Sequence, residues 1–157
     1  MKKYTYLIIL FPLLIFAQKK DLYVTFNDPS VFRISKSEDK SSILENYMLA
    51  FNQTDKPHYK LTVNEYGNIV RNVVVIGSPR GSLFFTYSNN NSQNPPIIIN
   101  TKDITNVITP NEILYSFETD IMSIISHFDN VYLVDMSVKN QNNYLAKKIS
   151  ITKNPGM

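Results

Sequence analysis

The chain has 157 residues, no cysteine, 43% hydrophobic residues and a formal net charge of +3. Without cysteine there can be no disulfide framework, no thiol nucleophile, no cysteine-ligated zinc and no iron–sulfur cluster. The apolar content is too high for a disordered chain, and so small a charge gives no basis for binding nucleic acid or an anionic membrane surface.

The first element is an export segment. Met1-Lys2-Lys3 is a short cationic start, and Tyr4 to Ala17 carries no charge. Gln18-Lys19-Lys20-Asp21 then ends the apolar run. This is the pattern of a secretory signal peptide. The run is shorter than the ~20 residues of a membrane-spanning helix, and Pro12 interrupts it. Lysines before it and polar residues after it fit export better than a buried core helix. Cleavage is expected after Ala17, although Ile15 is larger than the usual residue three positions before a cut. The Phe16-Ala17-Gln18 junction resembles the exit sites of bacterial signal peptides. Lipid attachment at the exit would need a cysteine and is excluded. The expectation is a signal peptide over 1–17 and a single globular domain over 18–157. That domain would be exported to the periplasm or the medium, with no stable membrane anchor. Losing Lys2 and Lys3 removes two positive charges, so the basic balance belongs mostly to the leader.

Beyond the leader, short apolar segments alternate with turn residues. Leu22–Phe26 and Val31–Ile34 flank Asn27-Asp28-Pro29-Ser30 and predict a hairpin. Ser42–Phe51 is ambiguous. Ser42 and Glu45 resemble a capping box, and Leu44, Tyr47, Met48 and Phe51 fit a helix face, yet Tyr47–Phe51 also suits a buried strand. Tyr59, Leu61 and Val63 alternate with polar residues and predict a strand. Glu65-Tyr66-Gly67-Asn68 is a turn, and Ile69–Ile76 reads as a central strand covered on both faces. Leu83, Phe85 and Tyr87 alternate in the next strand, and the three together predict an antiparallel meander. Residues 89–96, with four asparagines and Pro95-Pro96, read as an exposed loop. Thr109, Pro110 and Glu112 form a helix start. Leu114, Phe117, Ile121, Ile124, Ile125 and Phe128 continue it as one amphipathic helix over 109–128. Val131–Val138 and Tyr144–Thr152 predict a final hairpin around loop 139–143.

Several patterns invite a chemical reading. Asp120, Ser123 and His127 fall on one face of the predicted helix. A working triad needs the imidazole between acid and nucleophile, usually from different elements. Ser116 shares that face, so a solvated helix side explains the set more simply. His58 and His127 are the only histidines, and Asp129 could join His127, but a zinc site needs three or four ligands at recognisable spacing. Gly77–Ser82 lacks the Lys-Ser/Thr ending of a phosphate loop and precedes a strand. Lys147 interrupts the inward alternation of Leu145, Ile149 and Ile151. It could guard a sheet edge, line a pocket or mark a bulge. The phenylalanines and tyrosines on alternating strand positions suit a core before they suit a carbohydrate platform.

These observations predict an α+β fold, an antiparallel meander-rich sheet with one main amphipathic helix on a face. The alternative is a β-sandwich or barrel with a flanking helix. No cofactor or metal is implied. Three function classes remain open. The leading one is a non-enzymatic exported module that binds an unknown protein or small ligand. The others are an exported hydrolase using Asp120, His127 or Asp129, and an envelope assembly protein that pairs strand edges.

Overall fold

The structure is a computed structural model describing residues 20–51, 58–74, 81–90, 92–116, 118–138 and 142–154. The leader over 1–17 and the Gly77–Arg80 turn lie outside the described residues. The strands are β1 (Asp21–Phe26), β2 (Arg33–Asp39), β3 (Ser42–Phe51), β4 (His58–Val63), β5 (Ile69–Val74), β6 (Gly81–Asn90), β7 (Ile97–Asn100), β8 (Val107–Ile108), β9 (Asn130–Asp135) and β10 (Asn143–Asn154). The helices are α1 (Pro110–Leu114) and α2 (Glu118–Ile125).

β1 shows most directly why the predicted fold class fails. Leu22 through Phe26 are all buried, so both faces of this strand are covered. That is the signature of a parallel strand inside a sheet. β1 lies between β8 and β9 and is parallel to both. It does not pair with β2, so the hairpin expected around Asn27–Ser30 is absent. A short 3-10 turn over Pro29–Val31 carries the chain away instead. β2 pairs with β3, and the sheet runs β2-β3-β6-β10-β9-β1-β8, with β7 on β10. The α+β expectation of an antiparallel sheet with one main helix is therefore corrected. Strands make up 58% and helices 16% of the described residues, the eight-stranded sheet is mixed, and the two helices are short. The sandwich alternative fails too, because among the described residues the other sheet is only the β4–β5 hairpin.

The predicted long helix breaks in the middle. Its start is as expected: Thr109 caps α1, Pro110 occupies the first turn, and Glu112 completes a capping box. The N–H and hydroxyl of Ser116 then both donate to the Ile113 carbonyl (3.1 and 2.8 Å). A serine that bonds back to the preceding turn competes with the helical ladder. Ser116 is fully buried, not on a solvated face. α2 restarts at Glu118 and buries Ile121 and Ile124. Among the described residues, no helix is long and apolar enough to cross a membrane.

Residues 42–51 resolve as a strand. Glu45, Tyr47 and Leu49 alternate inward, which is strand period. Leu83, Phe85 and Tyr87 are buried as expected, but β6 pairs with β3 and β10, not with β5. The meander is thus only a hairpin, β4 with β5. Its turn uses Gly67 at φ 75°, a conformation that glycine adopts without steric cost. β5 is not a covered central strand, since Arg71 and Asn72 are exposed.

The hairpin is fastened to the helices at two points. The Leu61 N–H donates to Asp120 Oδ2 (3.3 Å). Arg71 forms an ion pair with Glu112 and donates to the Val107 carbonyl (2.8 Å). Arg71→Ala is therefore expected to loosen β4–β5 selectively. Hydrogen exchange should speed up in residues 58–74 and stay unchanged in β3 and β6. Uniform acceleration across the chain would show that the hairpin is not separately anchored.

Two apolar clusters lie on opposite faces of the sheet. The larger holds Leu22, Val24, Phe26, Phe32, Leu49, Phe85 and both helices' isoleucines. The smaller holds Tyr23, Ile99, Val134, Tyr144 and Ala146. In the smaller one, Tyr23 stacks on Tyr132 at 5.6 Å between ring centres. Burial, and then the neighbouring Asp21 carboxylate, push the Tyr23 hydroxyl up to about 12.

β10 joins the two parts of the sheet. Its first residues pair with β7 and β9, and its later residues with β6. Lys147 therefore sits in a central strand, and the edge-guarding explanation does not apply to it.

Candidate functional site

The larger core opens at one end into a cleft of about 220 Å³. β10 supplies Leu145 and Lys147, β3 supplies Tyr47, β2 supplies Ile34, and the ends of β1 and β9 supply Phe26, Leu133 and Asp135. Val138, in the turn after β9, completes the rim. Ile34 is opposite Tyr47 in the β2–β3 ladder, and Lys147 is opposite Leu133 in the β9–β10 ladder. Cross-strand partners share a sheet face, so the strand registers bring these side chains together. Ile34, Val138 and Leu145 are large aliphatic residues left exposed at its rim. Ile98 lies opposite Leu145 on β7 and is also exposed, extending the apolar strip.

Beneath this rim is a charged cluster. Glu45 is only 7% exposed. Lys147 Nζ donates to Glu45 Oε2 (2.5 Å) and to Tyr47 Oη (3.2 Å). The Tyr47 hydroxyl donates to the same Oε2 (2.6 Å). Lys36 Nζ stands 3.7 Å from Oε1. The Lys147 ammonium also lies 5.4 Å from the centre of the Tyr87 ring and 5.8 Å from that of Tyr47, within cation–π range. Burial alone would raise the Glu45 carboxyl. The hydrogen bonds from Lys147 and Tyr47 outweigh it and hold the group below the ordinary carboxylate range. The Tyr47 hydroxyl is pushed well above its ordinary value, first by burial and then by Glu45. Glu45 is thus a fixed acceptor and Tyr47 a fixed donor. Lysine has three N–H donors, and the two hydrogen bonds leave one for a group entering the cleft.

The loop after β6 braces this cluster from behind. Asn94, read as part of an exposed loop, is half-buried. Its amide donates to the Ser88 and Lys148 carbonyls (3.0 and 3.1 Å). The Tyr87 hydroxyl donates to the Asn94 carbonyl (3.0 Å), which fixes the ring beside Lys147.

Of the residues singled out in the sequence, Lys147 lies in this cleft, and the catalytic and metal candidates lie elsewhere. The Asp120 carboxylate accepts from the Leu61 N–H. Ser123 is exposed, and its carbonyl meets His127 Nδ1 at 2.7 Å. Asp129 is exposed beyond α2, where its N–H donates to the Lys20 carbonyl. His58 opens β4 opposite Val74, and its side chain is outside the described residues. Among the described residues, no three histidine, aspartate or glutamate side chains gather as a metal-holding group.

Glu45 was legible only as a capping-box partner. A better signal was available. Once 42–51 is taken as a strand, Glu45 falls on the inward face with Tyr47 and Leu49. Lys147 falls likewise among Leu145 and Ile149. Opposite charges intruding on the inner faces of two strands must meet or be hydrated.

No family model matches this chain, and neither does any curated protein or solved structure.

Proposed function

We propose that the protein is an exported, non-enzymatic binding module. Its ligand is a small aliphatic molecule ending in a carboxylate, held in the cleft above Lys147. The observation that carries this reading is the cleft itself, an apolar mouth with exposed Ile34, Val138 and Leu145 over one lysine that retains a donor. Small-ligand sites are mostly apolar concavities with a few convergent polar groups. Lys36 stands between Glu45 at 3.7 Å and Glu38 at 3.3 Å, so Lys147 alone presents a cation to an incoming carboxylate. Asp135 on the far wall already accepts from the N–H and hydroxyl of Ser137.

Strand-edge assembly has less support. The edge strand β2 is exposed along its whole length and carries Arg33, Lys36, Glu38 and Asp39. Charged edges of this kind resist pairing with another chain. Export rests on the leader pattern of residues 1–17.

Octanoate is the test ligand, with octanol as the uncharged control. Titration is expected to shift the methyl resonances of Leu145 and Val138 saturably, and octanoate should bind more tightly than octanol. Leu145→Glu places a carboxylate at the exposed rim and should weaken octanoate at least tenfold without changing the fold. No saturable binding to the wild type, or equal binding to the variant, would overturn the proposal.

A further inference from the structure

A second cleft, of about 410 Å³, lies where β1 and β8 end and α1 begins. In open sheets, ligands commonly sit outside the carboxyl ends of parallel strands, and β1 and β8 are such a pair. The lining chemistry differs from that of the lysine cleft. Asn27 and Asp28 come from the turn after β1, Asn111 comes from α1, and Thr25 comes from β1 itself.

Three of these polar groups are unused. The side chains of Asn27 and Asn111 make no hydrogen bond among the described residues, and neither does the Thr25 hydroxyl. Thr25 is only 8% exposed. A buried hydroxyl without a partner is uncommon in a folded protein and calls for an explanation. The Asp28 carboxylate accepts from the Ser30 N–H (2.8 Å) and from the Ser30 side chain.

We infer that this cleft is a binding site for a neutral, hydroxyl-rich molecule of monosaccharide size. Carboxamides and hydroxyls each both donate and accept. A ligand that complements such a mixed set must do the same at several adjacent atoms, as vicinal hydroxyls do. Among the described residues, Asp28 is the only charged one lining the cleft. None of these lining residues is a cation that could receive a phosphate or carboxylate, so anions are disfavoured. Pro110 and Phe26 supply an apolar wall for the C–H face of a sugar ring. This cleft shares only Phe26 with the lining of the octanoate cleft, and the inference does not rest on that reading.

The test is titration of the whole protein with D-glucose, D-galactose, D-mannose and N-acetylglucosamine, followed by NMR. The side-chain amide resonances of Asn27 and Asn111 are expected to shift saturably with at least one sugar. The resonances of Leu145 should not move. Asn27→Ala and Asn111→Ala change exposed positions and should each weaken that sugar at least fivefold with the spectrum otherwise retained. Thr25→Val keeps the shape of the buried side chain and should also weaken it. Absence of saturable shifts with all four sugars would overturn the inference. So would unchanged affinity in both asparagine variants, or tighter binding of inorganic phosphate than of any sugar.

Discussion

Glu45→Ala is expected to lower the stability of the domain by about 3 kcal/mol, the range for removing one partner of a buried ion pair. The variant leaves the Lys147 ammonium, 23% exposed, without its carboxylate, and leaves the Tyr47 hydroxyl without its acceptor. Replacing both charges, as Glu45→Leu with Lys147→Met, should restore most of that loss, because apolar side chains of similar size can substitute for a buried pair at little cost. Urea unfolding of the two single variants and the double variant checks this. Equal losses in single and double variants would show that the pair contributes by packing alone. The pair also sets an acid dependence. Its carboxyl is held below the ordinary range, so its contribution is complete above the unfolded value of about 4.3. It disappears as pH falls through the lower folded value. The double variant should lose this part of the acid sensitivity.

The second large effect belongs to Phe32. Its ring makes edge-on contacts with Phe26, Tyr47 and Phe85, at 5.3, 5.8 and 5.6 Å between centres. It comes from the short link between β1 and β2 and reaches rings on β1, β3 and β6. Phe32→Ala should cost about 3–5 kcal/mol, the usual range for a buried phenylalanine, measured as a fall in the urea midpoint. Phe32→Leu should recover more than half. A loss below about 1 kcal/mol would mean that the link can collapse into the space left by the ring.

Local patterns were readable where neighbours in sequence are neighbours in space. The Thr109–Glu112 helix start, the β4–β5 hairpin and the pairing of β9 with β10 are of that kind. Readings failed where a distant partner decides the outcome. The apolar run Leu22–Phe26 looks the same whether its partner is the next segment or β9. Ile69–Ile76 looked central for its valines, but its described part lies in a two-stranded hairpin. Helical periodicity over 109–128 was real, and Ser116 nonetheless ended the helix by bonding back to Ile113. At the candidate site Lys147 was visible as an anomaly. Its partner Glu45 was hidden because a strand and a helix competed for 42–51. Asn27 and Asp28 carried turn signals and Asn111 carried none of its own, so nothing pointed to a shared cleft.

The strand order has a consequence for how the molecule is made. Asn130 donates to Asp21 across a separation of 109 residues, and β1 has no strand partner before β8. β6 pairs early with β3, but its other edge waits for β10. Such nonlocal pairing slows folding. A nascent chain emerging from the ribosome would hold its first strand unmated through most of synthesis.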